Sequence, residues 1–582
     1  MNLIVLTFFG ASVLISLGSK KAGYTGIIVS SVVMVILEGL QIQVTDFFFL
    51  IAGVVWTLIS WYSVKYDTYE RWLVVLYALS IFGMVIVLQS NNYIQFLAGW
   101  EVMSLSGYAI IGLNSKRAGT AFLFSAFSEF STVLIVAGFA YAYSITGTIN
   151  FTNLGSDIPL LLVSLGFIIK MGLLPFMLSE WLPVSHGSAP ANASALLSAT
   201  MTLMGVYGIL KVTLISPSNV LLGMLFMGIG AFTVFFAALL AYTSEGTKVL
   251  PGFSTIENNG GILVALGLVM AITSQYERAF LVSIVLLYSL AHSVSKTGLF
   301  MISGNSGERV FSRRSSGKDR YDQLGGILIV SSLSGLLPTL GGVAVWMLLE
   351  SLFMQSTQFQ VLGIFSIIVG SLIALGEGLI SGAMIKFISF TQLLKEKRAE
   401  KISLSLPVLS AGILVVFFGV ASTLFVSRPF VSGNISLGIP YGFMIASSLT
   451  PVTTFGVLTP IFILALIFFF SIVAVLGFGK PNLRKSGIWN GGISLDSEYT
   501  SFAYSNNMRI MLKKILMPFS AETDREDGVK NIFWDSILSL GKFYRSFSRF
   551  ITNKFMNSSM SWYVAYIIVA FVIALVFAVL VY

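Results

Sequence analysis

The chain has 582 residues, 56% of them hydrophobic and only 10% charged, a balance that excludes a soluble globular protein, in which about 25% of residues are charged. It contains no cysteine and two histidines, which excludes disulfides, thiolate metal sites and cysteine-held iron–sulfur clusters and argues against a bis-histidine haem within the chain. The net charge of +9 is placed by loop, a pattern of membrane topology and not of nucleic-acid binding.

Apolar stretches of bilayer length recur near 2–18, 24–43, 47–64, 71–89, 92–113, 119–143, 158–178, 190–214, 218–242, 252–273, 279–302, 325–353, 361–390, 404–426, 458–478 and 561–582, about sixteen spans in all. Met1–Gly18 has no basic leading region and no small-residue cleavage site, so it reads as the first span. Before residue 480 the odd-numbered connections carry nearly all the loop Lys and Arg, from Lys20 and Lys21 through Lys116, Arg117 and Lys248 to Lys401. The even-numbered ones hold only Arg278 and Arg428. This asymmetry predicts cytoplasmic odd connections and both termini outside.

Charge inside the spans is concentrated mid-chain. Glu38, in the second stretch, reads as a side chain that snorkels to a nearby interface. The fifth stretch, NYIQFLAGWEVMSLSGYAIIGL, holds Glu101; the sixth holds Glu129, the seventh Lys170 and the eighth Lys211. A buried ammonium costs about 3 kcal/mol on insertion scales, so ions kept in four consecutive spans point to use. Gly172 and Pro175 follow Lys170 and break its helix. Broken helices beside intramembrane ions mark transporters and pumps, where freed backbone groups line a wet cavity. A packing role for one such ion is a fair alternative, but for the whole series it would repeat the insertion penalty at each span.

The pattern returns after residue 250. Glu257 lies in GFSTIENNGG at the entry of the tenth stretch, and His292 and Lys296 in the eleventh share a helix face at i and i+4. The twelfth carries a second break at Gly335 and Pro338 with Glu350 beyond it, and the thirteenth holds Glu377 and Lys386. Gly172-Leu-Leu-Pro175 recurs as Gly335-Leu-Leu-Pro338, 163 residues on, while Glu101 and Glu257 are 156 apart. These near-equal offsets predict two five-span repeats, spans four to eight and nine to thirteen, and an odd number of spans per repeat inverts the second. Spans fourteen and fifteen are free of charge and read as packing helices.

Composition turns basic at Lys480. Ile532, Phe533, Ile537, Leu540, Phe543, Phe547 and Ile551 then fall at helical spacing with Lys542, Arg545, Arg549 and Lys554 between them. This predicts an amphipathic helix lying along the membrane face or a neighbouring subunit. The expected division is 1–64 for three leading spans, 65–215 and 216–402 for the two repeats, 403–479 for spans fourteen and fifteen, 480–560 for the linker and amphipathic helix, and 561–582 for an anchor span.

With these residues in place, the chain resembles the antiporter-like membrane subunits shared by respiratory complex I, membrane-bound nickel–iron (NiFe) hydrogenases and Mrp-type cation/proton antiporters. Trp100-Glu101 followed by Met-Ser-Leu is similar to the family's fifth-helix glutamate motif. Lys170 with Pro175 and Trp181-Leu182-Pro183 is similar to its seventh-helix lysine motif, and His292 with Lys296 to its eleventh-helix pair. Ser254-Thr255-Ile256-Glu257-Asn258, His186-Gly-Ser-Ala-Pro190 and Trp489-Asn-Gly-Gly492 resemble the branch of hydrogenase-4 and formate hydrogenlyase membrane subunits; the cysteine of that last segment is absent here. Trp346 stands where many relatives carry a twelfth-helix Lys or Glu, with Glu350 one turn on as its substitute.

The resemblance implies an all-α polytopic membrane protein with a fourteen-helix core, two inverted five-helix repeats with discontinuous helices 7 and 12, a lateral amphipathic helix and a final anchor. It implies proton or other ion translocation through Glu101, Lys170, Lys211, Glu257, His292, Lys296 and Glu350, with Glu129, His186, Glu377 and Lys386 as secondary candidates. Lys170 would pair with Glu101 and, once separated from it, pass its proton toward His292, Lys296 and Glu350. Lysine suits this because burial readily alters its hold on the proton, whereas arginine stays charged. The resemblance further implies partner membrane and peripheral subunits in a prokaryotic cytoplasmic membrane. The NiFe centre and iron–sulfur clusters would belong to those partners, with no cofactor, metal or nucleic acid held by this chain. An Mrp-type antiporter subunit and a silent membrane scaffold are the alternatives.

Overall fold

The computed structural model describes residues 2–39, 44–66, 71–114, 118–173, 181–307, 310–311, 319–357, 361–393, 402–426, 445–446, 457–458, 460–478, 501–512, 532–554 and 568–569. Pro175, Trp489 and all of the expected anchor 561–582 except 568–569 lie outside these residues.

The chain is a multi-pass helical membrane protein. In order it forms α1 (Leu3–Gly18), α2 (Lys20–Met34, continued by a π-helical turn to Gly39), α3 (Val44–Lys65), α4 (Arg71–Gln89), α5 (Tyr93–Asn114) and α6 (Ala118–Thr146). Next come α7 (Asp157–Lys170), α8 (Trp181–Ser188), and α9 (Ala191–Leu196), which runs through a π-helical turn, Leu197–Met201, into α10 (Thr202–Ile215). Then follow α11 (Val220–Thr243), α12 (Val249–Ala271), α13 (Gln275–Ser306), α14 (Arg320–Leu333), α15 (Leu340–Ser356), α16 (Val361–Ile388) and α17 (Ile402–Val426). The last elements are β1 (Ile445–Ala446), β2 (Val457–Leu458), α18 (Pro460–Phe478), α19 (Ser501–Met511) and α20 (Ile532–Lys554). The two strands pair antiparallel, Ile445 opposite Leu458.

Among the described residues eleven helices are long and apolar enough to cross a membrane, and α1, α15 and part of α18 form shorter apolar helices. Helix is the required state for these segments, because lipid offers backbone N–H and C=O groups no partner outside the segment itself. Polar side chains cap helix starts: Ser156 caps α7, Asn219 α11, Ser274 α13, Asp319 α14 and Thr339 α15.

The chain divides into two compact units, Met1–Lys513 with Pro518–Val529, and Lys514–Met517 with Lys530–Tyr582. Within the first, the helix α9–α10, α12 and α13 are enclosed by protein along their length. The second contains α20, whose Phe543 and Phe547 stack at 6.2 Å and are exposed.

Two helices are interrupted in the same way. At the end of α7, Gly172 N–H bonds the Ile169 carbonyl and Leu173 N–H the Ile168 carbonyl, with Gly172 at φ +75°. At the end of α14, Gly335 N–H bonds the Ser332 carbonyl and Leu336 N–H the Ser331 carbonyl, with Gly335 at φ +65°. This paired 5→2 and 6→1 closure needs a left-handed residue, which glycine adopts without a Cβ penalty. The Gly-Leu-Leu repeat is thus the same backbone device used twice, at the ends of α7 and α14.

Candidate functional site

Lys170 is the last residue of α7 and is 1% exposed. Its Nζ donates to Ser104 Oγ of α5 at 2.8 Å and to Ser128 Oγ of α6 at 3.0 Å. It also faces the rings of Trp100 and Phe124, at 5.6 and 5.2 Å from their centres. Glu101 lies one turn before Ser104 and Glu129 follows Ser128. Both carboxylates are within Coulomb range of the ammonium. The Glu101–Lys170 ion pair expected from the sequence is not made: Glu101 Oε1 is buried without a partner, and Lys170 rests on hydroxyls. The physical reason is register, since the lysine meets α5 one turn along from the glutamate.

The second set repeats this arrangement with different parts. Lys296 of α13 is fully buried and donates to Ser254 Oγ of α12, one turn before Glu257. Glu257 accepts from Asn258. Both Glu257 and Glu377 of α16 are within Coulomb range of Lys296. Glu377 sits at the second break, its Oε2 3.4 Å from where a Cβ on Gly335 would stand. Glu350 of α15 is only partly buried, with Oε1 unpartnered.

The segment Ser254–Asn259 joins the two sets. Ser254 holds Lys296; Thr255 Oγ1 lies 2.7 Å from Ser198 Oγ; Asn259 Nδ2 donates to the Met171 carbonyl at the first break, at 2.8 Å. Ser198 belongs to the π-helical turn between α9 and α10, and its carbonyl lies 3.2 Å from His292 Nε2. Polar side chains of α12 therefore reach the break beside Lys170, the Ser198 turn that contacts His292, and Lys296 in turn. The hydroxyls among them, Ser198, Ser254 and Thr255, can both donate and accept.

The remaining candidates are distributed around this line. Lys211 donates to the Ser90 carbonyl at 2.6 Å and to Tyr207 Oη at 3.1 Å, with the Phe151 ring centre 4.2 Å away. His186 of α8 is buried against Phe300, ring centres 4.9 Å apart, and neither ring nitrogen has a partner. Lys386 binds Glu245 at 2.9 Å. Sequence reasoning missed Glu245, Arg509 and the serines that hold the lysines. Ser104 and Ser254, each three residues from a glutamate inside a helix, were the available signal; Glu245 reads as an ordinary loop acid. Among the described residues no group of three or more His, Asp or Glu is arranged to hold a metal ion.

Residues 90–328 match the family described as NADH:quinone oxidoreductase/Mrp antiporter, transmembrane. Hydrogenase-4 component B of Escherichia coli (strain K12) is 33% identical over 246 residues, 38% of this chain and 36% of that protein. Alignments with the first curated relatives span 36% to 53% of their length. Among solved structures, a chain of the archaeal membrane-bound sulfane sulfur reductase superposes with TM-score 0.77 at 16% identity, covering 98% of this chain and 99% of that one. A chain of the Mrp complex from Dietzia sp. DQ12-45-1b superposes with TM-score 0.61 at 15% identity, covering 74% and 98%. These neighbours are subunits of multisubunit membrane complexes. The matched stretch, residues 90–328, carries Glu101, Lys170, Lys211, Glu257, His292 and Lys296 and is similar to the NADH:quinone oxidoreductase/Mrp antiporter transmembrane family.

Proposed function

We propose that the chain is an ion-translocating, in the first place proton-translocating, membrane subunit of a hydrogenase-like or complex I-like oxidoreductase. The observation that supports this most is the pair of buried lysines, Lys170 and Lys296, each held by serine one turn from a glutamate, with polar residues of Ser254–Asn259 touching the surroundings of both. A proton held on Lys170 between Ser104 and Ser128 has Glu101 and Glu129 nearby to receive or return it. Hydroxyl and amide groups lead from there toward His292 and Lys296, and Glu377 at the second break, with Glu350 and Lys386 further out, continues the path. Lys211 serves the other end of the first set.

In this reading the redox groups, a NiFe centre and iron–sulfur clusters, belong to partner subunits, and the chain sits in a prokaryotic cytoplasmic membrane with both termini outside. The rival is a subunit of an Mrp-type antiporter without redox partners. The fold favours the redox reading, because the Mrp chain covers 74% of this one and the sulfane sulfur reductase chain 98%.

The test reconstitutes the purified complex in vesicles holding a pH-sensitive dye. Acidification that requires an electron donor, hydrogen or reduced nicotinamide, supports the proposal. Proton exchange driven by a sodium chloride pulse alone, with no response to donor, supports the antiporter.

A further inference from the structure

Beyond α18 the chain returns side chains to the helical core. Glu245, in the connection after α11, is 7% exposed. Its Oε1 accepts from Lys386 Nζ of α16 at 2.9 Å and from Arg509 Nη2 of α19 at 3.0 Å, and its Oε2 accepts from Ser501 of α19. The same two cations close the end of α11. Lys386 donates to the carbonyls of Tyr242 at 3.2 Å and Ser244 at 2.7 Å, and Arg509 to that of Thr243. These are carbonyls that a helix end leaves unpaired, at the negative pole of its dipole. The Tyr242 and Tyr504 rings lie 5.7 Å apart beside them.

We infer that α19 is a positioning element for Lys386: Arg509 and Ser501 fix the Glu245 carboxylate, and through it hold Lys386 against the end of α11, so that docking of α19 is a condition of ion transfer through the second helix set. The inference rests on the ion-translocation reading above. Lys386 has three N–H groups and all three are engaged, two by backbone and one by Glu245. The carboxylate is therefore its one movable partner. Without α19, Glu245 would keep Lys386 alone among these cations and would close on it. With α19 docked, Glu245 is shared with an arginine, which stays charged where a lysine can exchange its proton. Lys386 follows Glu377 on the same helix, so α16 carries ionisable groups both at the Gly335 break and at the end of α11.

The test places Arg509→Gln, Arg509→Lys and Ser501→Ala in the full chain within its complex, reconstituted in vesicles with hydrogen or reduced nicotinamide as donor. Ions moved per electron pair and complex recovery are both measured, with Lys170→Ala in parallel. Loss of a charge-assisted contact predicts a fall of roughly tenfold in ions per electron pair for Arg509→Gln and about two- to threefold for Ser501→Ala. Arg509→Lys should restore most of the ratio. Wild-type coupling in Arg509→Gln while Lys170→Ala is silent overturns this inference alone. Complex recovery falling in both Arg509 variants with the ratio unchanged also overturns it, leaving α19 a purely structural clasp. Wild-type coupling in Lys170→Ala overturns the ion-translocation reading itself.

Discussion

Lys170 Nζ lies 2.8 Å from Ser104 Oγ, and Ser104 stands one helical turn from Glu101. Lys296, Ser254 and Glu257 repeat the relationship in the second set. A lysine resting on a neutral hydroxyl is held without being locked to its counter-ion, whereas a tight buried ion pair would resist separation. Ser104→Ala should therefore leave a buried ammonium donor short of an acceptor, at a cost of about 1–3 kcal/mol. Ion movement per electron pair should fall while the complex still assembles. The same readout for Ser254→Ala should fall alongside it.

Glu101→Gln keeps shape and hydrogen bonding but removes the negative charge near Lys170. Pumping in vesicles should be strongly reduced, with Glu101→Asp partly active. A Gln variant pumping like wild type would mean that the carboxylate's charge plays no part.

The two breaks should differ in tolerance. A Cβ at Gly172 would come within 2.7 Å of Leu182 Cδ1, while at Gly335 the nearest atom is Glu377 Oε2 at 3.4 Å. Both positions require a left-handed backbone, which costs a non-glycine residue about 1–2 kcal/mol. Gly335→Ala should lower the thermal midpoint in detergent slightly, and Gly172→Ala clearly more, because a clash is added to the same backbone cost. Equal shifts would contradict the packing at Leu182.

Two truncations separate the roles of α19 and α20. Ending the chain after Gly479 removes both, and should cost both ion coupling and partner content in mild detergent. Ending it after Leu512 keeps α19 and should retain coupling while partner content falls, because a 23-residue helix reaches roughly 35 Å at 1.5 Å per residue, enough to cross a neighbouring bundle. Unchanged partner content in both would mean that α20 only lies on lipid.

Much of this was legible in the sequence. Apolar length marked the helices because lipid imposes that length, and Gly172 and Gly335 announced the breaks because glycine is what a left-handed closure needs. The side-chain partners were not legible. Lys170 invites pairing with Glu101, yet it sits on Ser104 and Ser128, because the axial register of α7 against α5 and α6 is set by packing that no periodicity encodes. Glu377 reads as one more acid on α16 until α14 brings Gly335 against it. Glu245 and Arg509 are separated by most of the second half of the chain, and only the folded core brings them together.

In the proposed mechanism Lys170 carries the translocated proton. Its most direct test is Lys170→Ala in the complete complex, with donor-driven acidification of vesicles measured against recovered complex and electron-transfer rate. Assembly near the wild-type level with ion movement abolished is the expected result. Undiminished acidification in a normally assembled complex would contradict it.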